Sequence, residues 1–265
     1  RLGIVYVAPE TVGWDAWAQH WIYGTEEAPT VDMAHVPLPV RDHVLELFRQ
    51  FVPKVIKYTR KMCKEFIGTV DMQQIASCGL LFQSLFQESN GIDMAADESK
   101  LKTLASQIWA FSFIWSYGAS LTAAGWVQFD EFTRELWADA GLKVGIPGGG
   151  SLFDYFVKIT AGVGEFTKWD EIVPHYEAVP GRAYFDIMVE TVDTTRFAFV
   201  AEKLLTVGKA IFFTGVTGTG KTVVIQKLLE RLMPLPDEGG QGVVPIFVNY
   251  SAQTDSFVAQ LSIEA

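Results

Sequence analysis

The stretch Gly215-Val216-Thr217-Gly218-Thr219-Gly220-Lys221-Thr222 decides how the second half of this 265-residue chain is read. It matches the pattern G-x-x-x-x-G-K-[ST] in full. The apolar segment Ala210–Thr214 before it reads as a strand, and Lys221–Met233 after it carries apolar residues at helical spacing. Each residue type has a chemical reason. The glycines permit backbone conformations that turn successive N–H groups inward as an anion-binding nest. A helix opening near Lys221 adds the positive end of its dipole, about half an elementary charge, facing the phosphates. The Lys221 ammonium would reach the β- and γ-phosphates, and the Thr222 hydroxyl would ligate Mg²⁺. ATP or ADP with Mg²⁺ is therefore the expected cofactor, held by residues Gly215, Val216, Thr217, Gly218, Thr219, Gly220, Lys221 and Thr222.

Working outward, a helix (Thr195–Leu205) precedes the loop's strand. A Gly/Pro-rich loop (Pro234–Gly242), a strand (Val243–Tyr250) and one further helical stretch follow. That order is the opening of a βαβ-type nucleotide-binding sheet. Hydrolysis asks for more: a carboxylate on Mg²⁺, usually closing an apolar strand, and a group that positions water. The carboxylates after Lys221 are Glu230, Asp237, Glu238, Asp255 and Glu264, and none ends a run of four apolar residues. Trp126-Val127-Gln128-Phe129-Asp130-Glu131 imitates a strand ending in Asp-Glu. Gln128 interrupts its apolar run and the continuation Phe132…Leu136 is helical, so it reads as a decoy. The chain carries half a nucleotide site.

Upstream the pattern is helical. Val44, Leu47, Phe48, Phe51, Val55 and Tyr58 fall at three- and four-residue spacing, with charges between them. Val70–Gln87 and Ser99–Leu121 continue as helices across the turn-like Ser89-Asn90-Gly91. Phe129, Phe132 and Leu136 mark another, with Asp130 expected near its start, where a carboxylate favours the helix dipole. Gly145–Gly150 then breaks the register, which makes Pro37–Leu142 a bundle of four to five helices. Before it come a short apolar strand, Leu2–Ala8, and a Trp-rich helix within Gly13–Gly24. Gly162–Gly181 reads as a linker holding a strand or two.

Composition removes several alternatives. Net charge is −10 with a sequence pI of about 4.9, so the whole-chain charge offers no basic face for nucleic acid or for a membrane surface. Ile108–Phe129 has no charged residue, but its serines, glycines and Gln128 favour a buried helix over a membrane span. Cys63 and Cys78 form no C-x-x-C pair, and His20, His35, His43 and His175 do not cluster, so a reducing setting without structural zinc is expected.

Several stretches together resemble dynein heavy chains across nearly the whole length. Arg1-Leu2-Gly3-Ile4-Val5-Tyr6 with Gly13-Trp14 is similar to the last strand of that family's second AAA+ module. Ile114-Trp115-Ser116-Tyr117-Gly118-Ala119-Ser120-Leu121 before Phe129-Asp130 resembles that module's helical small domain. Thr191-Val192-Asp193-Thr194-Thr195-Arg196, the loop from Phe213 to Gly218, and Asn249-Tyr250-Ser251-Ala252-Gln253-Thr254 resemble the opening of the third. The Gly-Val-Thr-Gly form of the loop is closest to axonemal members.

The resemblance implies an α/β plus all-α fold: an AAA+ P-loop NTPase ring fragment, with a helical small domain followed by the start of a parallel αβα sheet. Its parts would be residues 1–36 (final strand and exit of the second large domain), 37–162 (helical small domain), 163–190 (inter-module linker) and 191–265 (start of the third large domain). It also implies an ATP-driven, minus-end-directed microtubule motor of cilia or flagella, with a third-module site that is usually regulatory. The implied partners are the rest of the heavy-chain ring, intermediate and light chains, and microtubules through other parts of the protein. The implied setting is cytoplasm, cytoskeleton and axoneme.

Val192 and Thr194 would lie beside the adenine, or Val192 would be ordinary core. Arg1 would act in trans as an arginine finger, or would merely cap its strand. Leu2 and Glu190 depart from the family's usual cysteine and proline. Two other readings stay open: a ring module that holds nucleotide without hydrolysis, and a stand-alone P-loop kinase.

Overall fold

The computed structural model describes residues 13–25, 27, 29, 32–176, 189–251 and 254–264. The expected first strand, Leu2–Ala8, and Arg1 lie outside the described residues. Two compact units divide the chain: residues 1–175 with 203–211, and residues 176–202 with 212–265.

Among the described residues five helices lie wholly in the first unit: α1 (Trp14–Tyr23), α2 (Leu38–Met62), α3 (Asp71–Leu85), α4 (Glu98–Gly118) and α5 (Ala123–Asp139). Helix α2 opens on Pro37 and Pro39, where a missing N–H costs nothing, and it buries the predicted stripe of Val44, Leu47, Phe48, Phe51 and Val55. Pro53 is tolerated inside the helix on the exposed side. Helix α4 is the centre. Asp97 caps it by accepting from the N–H groups of Ser99 (3.0 Å) and Lys100 (3.3 Å). It is buried nearly all round, as a helix surrounded by neighbours must be, and it packs against α2, α3, α5 and the hairpin below. Ser112 keeps its place in that apolar setting by donating to the Ile108 carbonyl at 2.8 Å. Among the described residues no helix is long and apolar enough to cross a membrane.

Helix α5 begins at Ala123, capped by the Thr122 hydroxyl, which accepts from Gly125 N at 3.3 Å. Asp130 therefore sits two turns inside, not at the start as expected. It works sideways instead. It pairs with Arg134 at 2.6 Å and accepts from Leu152 N at 2.6 Å, while Arg134 donates to the carbonyls of Pro147 and Gly150. The glycine-rich stretch that breaks the helical register is thus clasped to the helix it leaves.

The antiparallel hairpin β1 (Tyr155–Thr160) and β2 (Val163–Lys168) follows, in register Tyr155↔Lys168. Ala161 and Gly162 turn it with φ of 49° and 74°, the left-handed pair that a two-residue hairpin loop needs. Trp169 closes the unit by donating from Nε1 to the Phe153 carbonyl at 2.9 Å.

The second unit contains most of α6 (Val192–Thr206), then α7 (Lys221–Leu232) and α8 (Ser256–Glu264). The segments 210–214 and 243–250, read as strands, join no β-ladder among the described residues. The cause is physical, since a strand is stable only with neighbours to pair its backbone. Phe212 and Val244 are 83% and 84% exposed.

Candidate nucleotide site

The loop is built from its ends. Helix α7 starts at Lys221, with Gly220 as its cap at φ 78° and no side chain accepting from its first N–H groups. Those donors stay directed out of the helix end, where an anion would meet them. Gly218 stands at φ 83°, also left-handed. A Cβ added at Gly218 or Gly220 would meet nothing within 4 Å, so this side of the loop is open. The glycines are there for backbone conformation, not for lack of room.

Lys221 folds back over the loop that precedes it. Its Nζ donates to the carbonyls of Gly215 (2.9 Å) and Val216 (2.7 Å), and lies 3.4 Å from Thr219 Oγ1. The Thr219 hydroxyl in turn donates to Val216 O at 2.9 Å. An ammonium held against an uncapped helix start places a full positive charge beside the positive end of a dipole, an arrangement suited to phosphate. The residues fit a nucleotide phosphate chain. The structure thus gathers Gly215, Val216, Thr217, Gly218, Thr219, Gly220, Lys221 and Thr222 at one helix end, with Thr222 exposed in its first turn.

Val192 and Thr194 open α6, where Thr191 and Thr194 cap each other's backbone: Thr191 N donates to Thr194 Oγ1 (2.8 Å) and Thr194 N to Thr191 Oγ1 (3.3 Å). Thr194 lines a cleft of about 330 Å³ with Glu190, Ala198, Val224, Lys227 and Leu228. None of the loop residues lines that cleft. Sequence reading did not find it, because Lys227 and Leu228 look like an ordinary exposed and an ordinary buried position of α7. The remaining carboxylates near these helices are engaged: Asp193 pairs with Arg196, Glu202 with Arg231, and Glu230 with Lys227. The decoy Asp130-Glu131 lies within α5, inside a helix and not at a strand's end. Among the described residues no three His, Cys, Asp or Glu side chains converge on a metal site.

Two family models cover most of the chain. Residues 44–171 match the dynein heavy chain AAA lid domain, and residues 176–265 match the P-loop containing dynein motor region. Dynein axonemal heavy chain 6 of Homo sapiens is 29% identical over 265 residues, which is 100% of this chain and 6% of that protein. Dynein axonemal heavy chain 2 of Homo sapiens is 27% identical over 266 residues, 100% of this chain and 5% of that protein. Dynein-1-beta heavy chain, flagellar inner arm I1 complex, of Chlamydomonas reinhardtii is 26% identical over 294 residues, 100% of this chain and 6% of that protein. A lid-type helical bundle followed by a phosphate loop on a helix start is the make-up of an AAA+ ring ATPase segment. More narrowly, this chain belongs to the dynein heavy-chain family, and it spans about 6% of the length of the curated relatives it matches.

Proposed function

We propose that this segment binds ATP or ADP with Mg²⁺ at Gly215–Thr222, as a regulatory third-module site in the motor ring of an axonemal dynein heavy chain. The supporting observation is Lys221, whose ammonium lies within hydrogen-bond reach of Gly215, Val216 and Thr219 beside an uncapped helix start. In this reading Thr222 ligates Mg²⁺, which neutralises phosphate charge when bound. Val192 and Thr194 flank the base, and Arg1 serves a neighbouring module's nucleotide. The whole protein would be an ATP-driven, minus-end-directed microtubule motor in the cytoplasm and cytoskeleton of cilia or flagella. Its partners would be the rest of the ring, intermediate and light chains, and microtubules, with no nucleic acid and no membrane bound at this site.

One observation favours a second reading, a ring module that holds nucleotide and transmits strain without hydrolysing it. Asp193, Glu202 and Glu230 are already in ion pairs, and no carboxylate after Lys221 closes an apolar run of four, so the segment supplies a phosphate grip without a strand-end carboxylate for Mg²⁺ or water. On either reading these 265 residues alone are not expected to turn over ATP. Nucleotide binding and turnover by a chain extended until the loop's module is complete, compared with its Lys221→Ala form, test the proposal. Mg-ATP binding that is lost in Lys221→Ala, with slow or no turnover, is expected. Brisk phosphoryl transfer to a small acceptor would favour a stand-alone kinase, and undiminished binding in Lys221→Ala would remove the loop from the site.

A further inference from the structure

Against a net charge of −10, residues 54–64 contain five basic side chains and no acidic one. Lys54, Lys57, Lys61 and Lys64 recur three, seven and ten positions on, which keeps one helical face through the last turns of α2 and into the loop beyond it. All four are exposed, and among the described residues none makes an ion pair. The opposite face of α2 is committed to the core through Val44, Phe48, Phe51 and Val55. At 1.5 Å per residue the row is roughly 15 Å long.

The row runs directly into exposed apolar side chains. Phe66 is 67% exposed, Val70 53% and Met62 51%, with Ile67 between them. Surface loops are usually more mobile than the elements they connect, but this one is tied down. Arg60 grips Glu65 (2.9 Å), Asp71 (2.7 Å) and the Thr69 carbonyl (2.7 Å), and Glu65 accepts from Thr69 N (2.9 Å). Phe66 N donates to Ser120 O (2.8 Å), and Thr122 N to Lys64 O (2.9 Å). This network uses the charge of Arg60 internally and leaves the four lysines facing solvent.

A fixed loop that displays Phe66 and Ile67 beside a one-sided row of lysines is dressed for a partner, since large exposed apolar groups rimmed by charge mark interaction sites. We propose that this end of the helical unit docks an acidic, amphipathic segment of another protein chain, its carboxylates along Lys54–Lys64 and its apolar side chains on Phe66 and Ile67. Charge complementarity sets the sign of the partner, and the apolar loop separates it from a plain polyanion. The neighbouring surface sets its width. Helix α5 presents exposed Glu131 and Glu135 beside Tyr58, whose ring stacks on Phe132 at 3.8 Å. A flat anionic membrane would be pressed against those carboxylates, whereas a narrow segment passes beside them. This surface lies in the helical unit and is independent of the nucleotide reading.

Fluorescence anisotropy tests it with the full chain and three probes: a labelled amphipathic Glu/Leu helical peptide, polyglutamate of equal charge, and phosphatidylserine vesicles. The amphipathic peptide is expected to bind roughly tenfold tighter than polyglutamate. Lys54→Glu/Lys57→Glu/Lys61→Glu/Lys64→Glu and, separately, Phe66→Ser/Ile67→Ser should each weaken it roughly tenfold. Raising salt from about 50 to about 200 mM should weaken binding in the parent and in Phe66→Ser/Ile67→Ser but not in the fourfold lysine variant, because screening acts on the lysines. Circular dichroism checks that each variant is folded, and if the fourfold change unfolds the chain, Lys57→Glu and Lys61→Glu singly carry the comparison. Equal affinity for polyglutamate, unchanged binding by the variants, or capture of vesicles in preference to the peptide would each overturn the proposal.

Discussion

The helical unit turns most of its large apolar side chains inward, the loop at Phe66 and Ile67 apart, while the phosphate-loop unit leaves many of its own outside. Trp109, Phe48, Phe51 and Phe113 are wholly buried, yet Phe212, Val244 and Ile246 are at least 65% exposed. The two regions differ in what closes them. A helix satisfies its own backbone and needs only side-chain neighbours, and α4 finds those in α2, α3, α5 and the hairpin. A strand must borrow hydrogen bonds from the strands beside it, and 210–214 and 243–250 have none among the described residues. Independence of folding belongs to a unit that completes its own bonding.

The sharpest way to break this contrast is Trp109→Ala. Its ring meets Phe51 at a centroid distance of 5.3 Å and Phe113 at 4.9 Å, so truncation should cost about 3–5 kcal/mol in urea unfolding followed by circular dichroism. A loss below ~1 kcal/mol would mean that the first core is as loosely closed as the second unit. A smaller effect is expected from Gly220→Ala. At φ 78° a Cβ strains the left-handed cap by about 1–2 kcal/mol, so Mg-ATP affinity should fall roughly tenfold while the helical unit's unfolding midpoint holds. A midpoint that moved as well would show the two units to be energetically one.

The smallest effect is a pH dependence confined to the helical unit. His43 Nε2 lies 2.7 Å from Ser106 Oγ, and Ser106 donates to the Lys102 carbonyl. Burial, and then the Lys102 ammonium, hold the His43 imidazole below its ordinary value of 6.5. The fold therefore favours neutral His43. The stability so gained is present above pH 6.5 and is lost as pH falls below it towards the depressed value. The urea midpoint should drop more between about pH 7.5 and about pH 5.5 in the parent than in His43→Gln. An equal drop in both would assign the effect to other groups.

Much of this was legible in the residues. The stripe from Val44 to Tyr58 announced α2, and the Gly-Lys-Thr end of the loop announced the start of α7. Position along a helix was less legible. Asp130 looked like a first-turn carboxylate because Phe129 and Leu136 were the visible periodic residues, while the turn and a half before them opens on Ala123, Ala124 and Gly125 and continues through Trp126-Val127-Gln128, which imitates a strand. Segment 243–250 looked like a strand because local preference is readable, but pairing depends on residues far away. The row from Lys54 to Lys64 was obscured for a different reason, since summing to −10 averages over surfaces that never meet. The α6–α7 cleft needed coordinates, because Thr194 and Lys227 are brought together only by folding.

One close approach carries an evolutionary consequence. A Cβ on Gly118 would lie 2.4 Å from Phe153 Cζ, and the Phe153 ring is itself stacked on Trp126 at 4.1 Å, so it has nowhere to move. Neither position can drift alone: enlarging Gly118 collides, and shrinking Phe153 leaves a void beneath Trp126. The pair forms a single heritable character. Lineages should either keep Gly with Phe or exchange both in one step, and a chain carrying Gly118→Ala together with Phe153→Leu should tolerate the joint change better than the sum of its separate costs.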